Sequence, residues 1–371
     1  MGIYIYAFVI CILLGKFMFD GVSSKVVIDK RKKKYLFFVT LLLGLISGFR
    51  STSVGYDTYS YSLIFNDIMV GSFEKMIESV GRIEPGFALW CGIIKILGGN
   101  FQWLLITTSL FIVGSFSIFV YRHSKSVLWS IFILFCFQYY YSSFDIIRHF
   151  MATSFLLLGY KYVEQRKIIP FLLFIFIGSL FHKIAFIFTL YYFVPLVKWN
   201  TKIFVLFAIM VLIVNMLISK ISIGLSLLFG KGDYTQMHGT IQWIGAYSGG
   251  VKTFILFFIL FFFMFYIYRV NKKTRRVNET TNNSSLTLCL LMLMFSFLFI
   301  NARIMTRFVM TSSAFLAIAI PNILISDRPF EYFHIKQKNI SLIIILLGLV
   351  YNSFLLYVNW QNIVPYVPFW Q

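Results

Sequence analysis

Lys30-Arg31-Lys32-Lys33-Lys34-Tyr35-Leu36-Phe37-Phe38-Val39-Thr40-Leu41-Leu42-Leu43-Gly44-Leu45-Ile46-Ser47-Gly48-Phe49-Arg50-Ser51-Thr52-Ser53-Val54-Gly55-Tyr56-Asp57 is the stretch that decides the fold. Five consecutive basic residues lead into an apolar run, which opens onto glycine, hydroxyls and two fixed charges. A basic cluster beside an apolar helix marks the cytoplasmic side of a membrane span. The second span, Tyr35 to Phe49, then emerges on the outer face, and a polar loop from Arg50 to Arg82 lies there. Arg50, flexible backbone N–H groups and the hydroxyls of Ser51, Thr52, Ser53 and Thr58 suit an oxygen-rich anion. A solvated loop with Arg50 reaching lipid headgroups is the plainer reading.

The rest of the chain repeats the pattern. Its 371 residues are 59% hydrophobic and only 12% charged, about half the charge of a soluble domain. Apolar runs near 20 residues recur throughout, which predicts an all-α, polytopic membrane helix bundle forming one integral membrane domain, 1–371. The net charge of +20 sits largely in short loops, so it reads as topology rather than as a nucleic-acid surface. Cys11, Cys91, Cys136 and Cys289 stand singly among apolar residues, with neither metal nor disulfide spacing. Tyr4 to Phe19 reads as a retained first span, because no basic n-region precedes it.

Basic loops at Arg122–Lys125, Gln165–Lys167, Lys198–Lys202, Lys272–Arg276 and Lys336–Lys338 are expected on the cytoplasmic side. The spans between them make about twelve crossings. Val127 to Phe144 is expected as one span. Ile168 to Phe181 and Lys183 to Val197 are short and read as a tilted or partly re-entrant pair. Glu84 to Leu97 is too short to cross, so a half-helix or re-entrant segment is expected from Glu84-Pro85, with Pro85 in the first turn and Glu84 at its positive end. A second long external loop runs from Gly230 to Gly250 and carries Lys231, Asp233, Tyr234, His238, Gln242, Trp243 and Tyr247. A flexible cytoplasmic linker is expected at about 271–285, where Asn278 to Ser285 is polar throughout.

In this topology the unusual charges gather outside: Arg50, Asp57, Glu84, Asp145, Arg148, His182, Arg303 and Arg307. Positive-inside statistics do not predict external arginines. Charges at membrane depth face a cavity or a partner, and several arginines together suit phosphate. The plainer alternatives are local. Arg50 pairs with Asp57 and Arg148 with Asp145, His182 is an interfacial histidine, Arg303 and Arg307 snorkel from one helical face, and Glu84 is a first-turn charge.

The order of motifs is Arg50-Ser51-Thr52-Ser53-Val54-Gly55-Tyr56-Asp57-Thr58-Tyr59, Glu84-Pro85-Gly86-Phe87, Arg148 with Ala152, Phe181-His182-Lys183-Ile184-Ala185, then Arg303 to Phe308. It resembles the EpsG/Wzy-type polysaccharide polymerases over roughly Tyr35 to Ile325. The resemblance implies a GT-C-like helical architecture in the bacterial inner membrane. It implies a glycosyltransferase without cofactor or metal that joins O-antigen, capsule or exopolysaccharide units. Donor and acceptor are oligosaccharides on undecaprenyl pyrophosphate, the reaction faces the exterior, and a chain-length regulator is a possible partner. For that chemistry Arg50, Arg148, Arg303, Arg307 and Lys183 are the candidate substrate-binding groups. His182, Glu84 and Asp57, in that order, are the candidate bases. A lipid-linked oligosaccharide flippase, an O-antigen ligase and a membrane O-acyltransferase are the competing readings.

Overall fold

Every apolar run named above is helical in the computed structural model, which describes residues 1–21, 24–71, 73–78, 83–229, 248–274, 277–325 and 334–371. The residues singled out between Lys231 and Tyr247 lie outside the described residues. The described chain forms two compact units, Met1–Tyr192 with Leu349–Gln371, and Phe193–Gly348. Among the described residues six helices are long and apolar enough to cross a membrane: Gly2–Phe19, Phe101–His123, Gly249–Thr274, Glu279–Phe299, Arg303–Leu324 and Lys338–Tyr357. Shorter apolar helices accompany them.

In the first unit, α1 (Gly2–Phe19), α2 (Lys25–Gly48), α6 (Phe101–His123), α7 (Val127–Cys136), α9 (Ile147–Glu164) and α10 (Ile168–Ser179) run up and down. Specific bonds fix which ends meet. Arg31 donates to Met18 O (2.7 Å), Tyr121 Oη to Asp29 Oδ1 (2.8 Å), and His123 Nδ1 contacts Glu164 Oε2 (2.9 Å). One end of the unit therefore collects the basic run 30–34 with Arg122 and Lys161. The other end collects residues 48–58, Asn100, Phe144, Arg148 and the last segment, Trp360–Gln371. Helices α2 and α6 approach closely along Gly44-Leu45-Ile46-Ser47-Gly48. A Cβ on Gly48 would lie 2.8 Å from Ile106 Cα, and one on Gly44 2.6 Å from Leu110 Cδ2. Small residues four apart let two backbones touch where lipid supplies no hydrophobic drive. Ser47 and Ser109 bond across the same seam at 3.0 Å.

Between α2 and α6 lie three short helices: α3 (Thr58–Asp67), α4 (Phe73–Glu78) and α5 (Pro85–Ile96). The expected external loop 50–83 is thus largely helical where described. Its apolar residues explain this, since Tyr61 and Phe65 of α3 are buried. Helix α5 has Pro85 in its first turn and Glu84 at its N-cap. At 12 residues it spans only about 18 Å, short of a crossing.

The expected span Val127 to Phe144 is broken. Helix α7 ends at Cys136, Gln138 takes a left-handed φ of 73°, and a single turn, α8 (Tyr139–Ser142), follows. Neither Gly nor Pro marks the break. Gln138 Nε2 donates to Tyr351 Oη at 2.7 Å, so a distant partner holds it. After α10, Lys183–Leu196 forms a 3₁₀ run of 14 residues. At about 2.0 Å per residue that run reaches about 28 Å, close to the thickness of a bilayer core.

The second unit contains α11 (Thr201–Phe229), α12 (Ser248–Thr274), α13 (Glu279–Phe299), a 3₁₀ turn (Arg303–Met305), α14 (Thr306–Leu324) and the start of α15 (His334–Tyr357). One end of its core packs Trp199, Tyr268, Leu286 and Leu290. Among the described residues of the linker expected at about 271–285, those up to Thr274 continue α12. From Glu279 the tract is the opening of α13, capped by Asn278 Oδ1, which accepts from Thr280 N (2.9 Å). Asn282 and Asn283 are buried, donating to Tyr268 O (3.2 Å) and accepting from Tyr268 Oη (2.9 Å). Each side chain has a buried partner in Tyr268, so polarity here does not mean solvent. The basic run 30–34 likewise belongs to the first turns of α2 rather than to a loop.

Candidate functional site

Arg50 closes helix α2 and turns inward. It is 1% exposed, so it does not snorkel to lipid. Its Nη1 donates to Ser47 O and to the hydroxyl of Ser47 (3.2 Å), and its Nη2 donates to Phe144 O (2.9 Å). The guanidinium also lies 5.1 Å from the Phe144 ring. Burial pulls its pKa down to about 10, with Tyr4 and Tyr140 acting in the opposite sense. It is therefore a cation at neutral pH, shared among carbonyls. The chain around it is tied down too. Ser51 N donates to Val367 O (2.8 Å), Phe369 N to Phe49 O (2.9 Å) and Gly55 N to Asn362 O (2.8 Å).

Gly55 makes this possible. Its φ is +95°, and a Cβ there would lie 2.9 Å from Phe144 O. That oxygen also accepts from Arg50. Gly55→Ala is expected to cost about 1–3 kcal/mol, read as a lowered thermal midpoint of the purified protein. An unchanged midpoint would show that the turn relaxes without disturbing Phe144.

Beyond the turn, Asp57 stands at the N-cap of α3 with its side chain half-buried. Its backbone N–H donates to Asp145 Oδ1 (2.8 Å). The other Asp145 oxygen accepts from the Gln361 amide (2.9 Å), oriented so that both of its ends are satisfied. One turn into α3, the Tyr61 ring lies under the Arg148 guanidinium, 5.9 Å from ring centroid to Cζ. Burial raises the Tyr61 phenol above its ordinary value while Arg148 acts against it, so it stays a neutral hydroxyl.

Arg148 sits in the first turn of α9, where the helix end is positive and a cation is disfavoured. Glu84 offsets that. The two side chains form an ion pair and are only 18% and 11% exposed. The other Glu84 oxygen accepts from Lys183 N (3.4 Å). Gly86 N donates to Leu180 O (2.8 Å). Glu84-Pro85-Gly86 and Phe181-His182-Lys183, nearly a hundred residues apart in sequence, are therefore one contiguous feature.

His182 is half-buried, and its Nδ1 accepts from Ile184 N (3.2 Å). With that bond made, a neutral imidazole carries its proton on Nε2. Its ring meets the buried His149 ring edge-on, with centroids 5.9 Å apart. The Lys183 side chain is exposed. Sequence reasoning passed over His149, Tyr61 and Gln361. A histidine inside an apolar span, adjacent to Arg148, was a usable signal for the first. Tyr61, four residues after Asp57, shares its helical face. Nothing local points to Gln361.

In the second unit Arg303 is exposed and Arg307 half-buried. They do not share one α-helical face, because Arg303 opens the 3₁₀ turn and Arg307 belongs to α14. Thr306 Oγ1 donates to Arg303 O at 2.6 Å. The four cysteines are free and buried, as small apolar fillers.

These features define a class: a multi-pass helical membrane protein whose first unit gathers carboxylates, two arginines and a histidine at one end, apart from its basic end. The chain belongs to the EpsG family, whose model matches residues 33–367, nearly its whole length. No curated protein and no solved structure matches it. Membership makes it a polysaccharide-polymerase-type membrane protein.

Proposed function

We propose that the protein polymerises polysaccharide repeat units at the exterior face of a bacterial inner membrane. A growing glycan leaves undecaprenyl pyrophosphate and joins a sugar hydroxyl of an incoming lipid-linked unit. The observation that carries this is the meeting of Glu84, Arg148 and His182-Lys183 with Tyr61, one helical turn after Asp57. Family membership supports it, and the basic run 30–34 at the opposite end of the unit supports an outward-facing site.

In the transfer, the bond between the anomeric carbon and the pyrophosphate oxygen breaks. The electron pair leaves with the lipid pyrophosphate. Arg148 and the His182 Nε2–H stabilise the charge that develops there. The acceptor oxygen bonds to the anomeric carbon and gives its proton to Asp57. Glu84 positions Arg148 through one oxygen, while the other accepts from Lys183 N. Arg50 positions the turn that leads to Asp57. Lys183 is a further phosphate-binding group here, and Arg303 and Arg307 are phosphate-binding groups of the second unit. No metal takes part, so activity of purified protein on lipid-linked units should survive chelator.

Variants in a complemented deletion strain separate these roles. Asp57→Asn is expected to abolish the surface glycan ladder while lipid-linked unit still binds. His182→Gln keeps an N–H donor and should keep measurable polymerisation, whereas His182→Ala should lose about 100-fold. If His182→Gln is as inactive as His182→Ala, the imidazole is the base. A normal ladder in Asp57→Asn removes Asp57 from the mechanism. Loss of the ladder, as against loss of attachment alone, separates polymerase from ligase.

A further inference from the structure

At the same end of the first unit an open cleft of about 340 Å³ lies beside the Arg50 turn, within the range of small-molecule sites. It is lined by the hydroxyl residues Ser51 and Thr52 and the amides Asn66, Asn100 and Gln102. Phe101 and Phe369 complete it. None of these lining residues is charged, and the guanidinium of Arg50 is directed away, onto Ser47 and Phe144.

The polar groups are already held. Asn100 Oδ1 caps α6 by accepting from Gln102 N (3.1 Å) and Trp103 N (3.4 Å), which leaves its amide nitrogen to donate. Gln102 Nε2 donates to Gly48 O, which leaves its amide oxygen to accept. Phe369 is fixed by its backbone bond to Phe49 and by stacking on that ring at 5.8 Å, yet stays 47% exposed. The cleft thus offers fixed donors, fixed acceptors and a partly open aromatic face, without a cation. An anion has no counter-charge in it. A pyranose ring carries hydroxyls that both donate and accept, and an apolar C–H face that packs on an aromatic ring.

We propose that this cleft is a subsite for an uncharged sugar residue of the glycan, separate from the groups that meet the pyrophosphate. The proposal rests on the polymerase reading for its substrate class. It makes the last segment of the sequence part of the binding surface, since Phe369 forms a wall of the cleft.

The test uses purified full-length protein in nanodiscs and two probes. The first is a set of neutral oligosaccharides released by partial hydrolysis of the host's own polymer, and the second is farnesyl pyrophosphate. Asn66→Ala suits the purpose, because Lys95 holds Asn66 through its backbone oxygen (2.9 Å) and not its side chain. Asn66→Ala and Phe369→Ala are each expected to weaken oligosaccharide binding about tenfold and to leave farnesyl pyrophosphate binding unchanged. Phe369→Tyr should retain binding. Arg148→Ala should show the reverse pattern. Wild-type oligosaccharide binding by both alanine variants, with polymerisation intact, overturns the subsite and leaves the polymerase reading standing. Weakened oligosaccharide binding in a protein that never polymerises lipid-linked units upholds the subsite and sinks the polymerase. Equal weakening of both probes means the cleft and the pyrophosphate site are not separate, and overturns the proposal.

Discussion

Arg148→Ala is expected to abolish polymerisation, and the double variant Glu84→Ala/Arg148→Ala to recover stability without recovering activity. The reasoning starts from the ion pair. Both side chains are largely withdrawn from water, so removing one leaves the other charged with a lost partner. For a buried pair that costs about 3–5 kcal/mol, and the residual exposure here puts the expectation at the lower end. Deleting both removes the stranded charge, so the double variant should be more stable than the sum of the single losses. Activity follows a different rule. If Arg148 meets developing charge on the leaving pyrophosphate, its loss costs about 100- to 1,000-fold, and no change at Glu84 restores it. The checks are thermal midpoints of the three purified variants and the glycan ladder of the complemented strain. A double variant that polymerises like wild type would make the pair purely structural.

Arg50→Ala is expected to fail before catalysis, as a folding defect. The guanidinium bonds Ser47 O at the end of α2 and Phe144 O ahead of α9. Hydrogen bonds to a charged group contribute about 1.5–3 kcal/mol each, so the alanine variant should lose about 3 kcal/mol or more. It also leaves buried carbonyls short of a donor. Arg50→Lys should recover little, because an ammonium on a flexible stem cannot reproduce the planar fork that reaches both oxygens. The measurement is the yield and thermal midpoint of folded protein in detergent, taken before any assay. Arg50→Ala with a wild-type midpoint and a lost ladder would instead return Arg50 to direct contact with substrate.

These two arginines show how far residue type carries. Both stand at the ends of apolar runs in short polar motifs, and by sequence they read alike. Their difference comes from what the fold puts opposite them. Arg50 meets carbonyls and is enclosed. Arg148 meets a carboxylate and keeps some exposure. Glu84 was legible as a first-turn charge before Pro85, and the helix starts there because proline fixes φ and needs no amide partner. Its bonds to Arg148 and to Lys183 N span 64 and 99 residues, which no local pattern encodes. His182 was legible as a titratable group at a turn. That its Nδ1 accepts from Ile184 N–H is decided by backbone geometry.

The sequence by itself determined the class of fold. Apolar length and sparse charge leave only helices able to satisfy their own backbone in lipid, and the basic runs distinguish the two ends of the first unit. Ordered motifs pointed to the family. Tertiary structure alone decided which polar residues meet, that α7 breaks at Gln138, that Asn282 and Asn283 are buried, and that the last segment braces the Arg50 turn. The physical reason is that periodicity reports which residues avoid water. The partner of a buried polar group lies wherever a distant backbone or side chain arrives with the complementary atom.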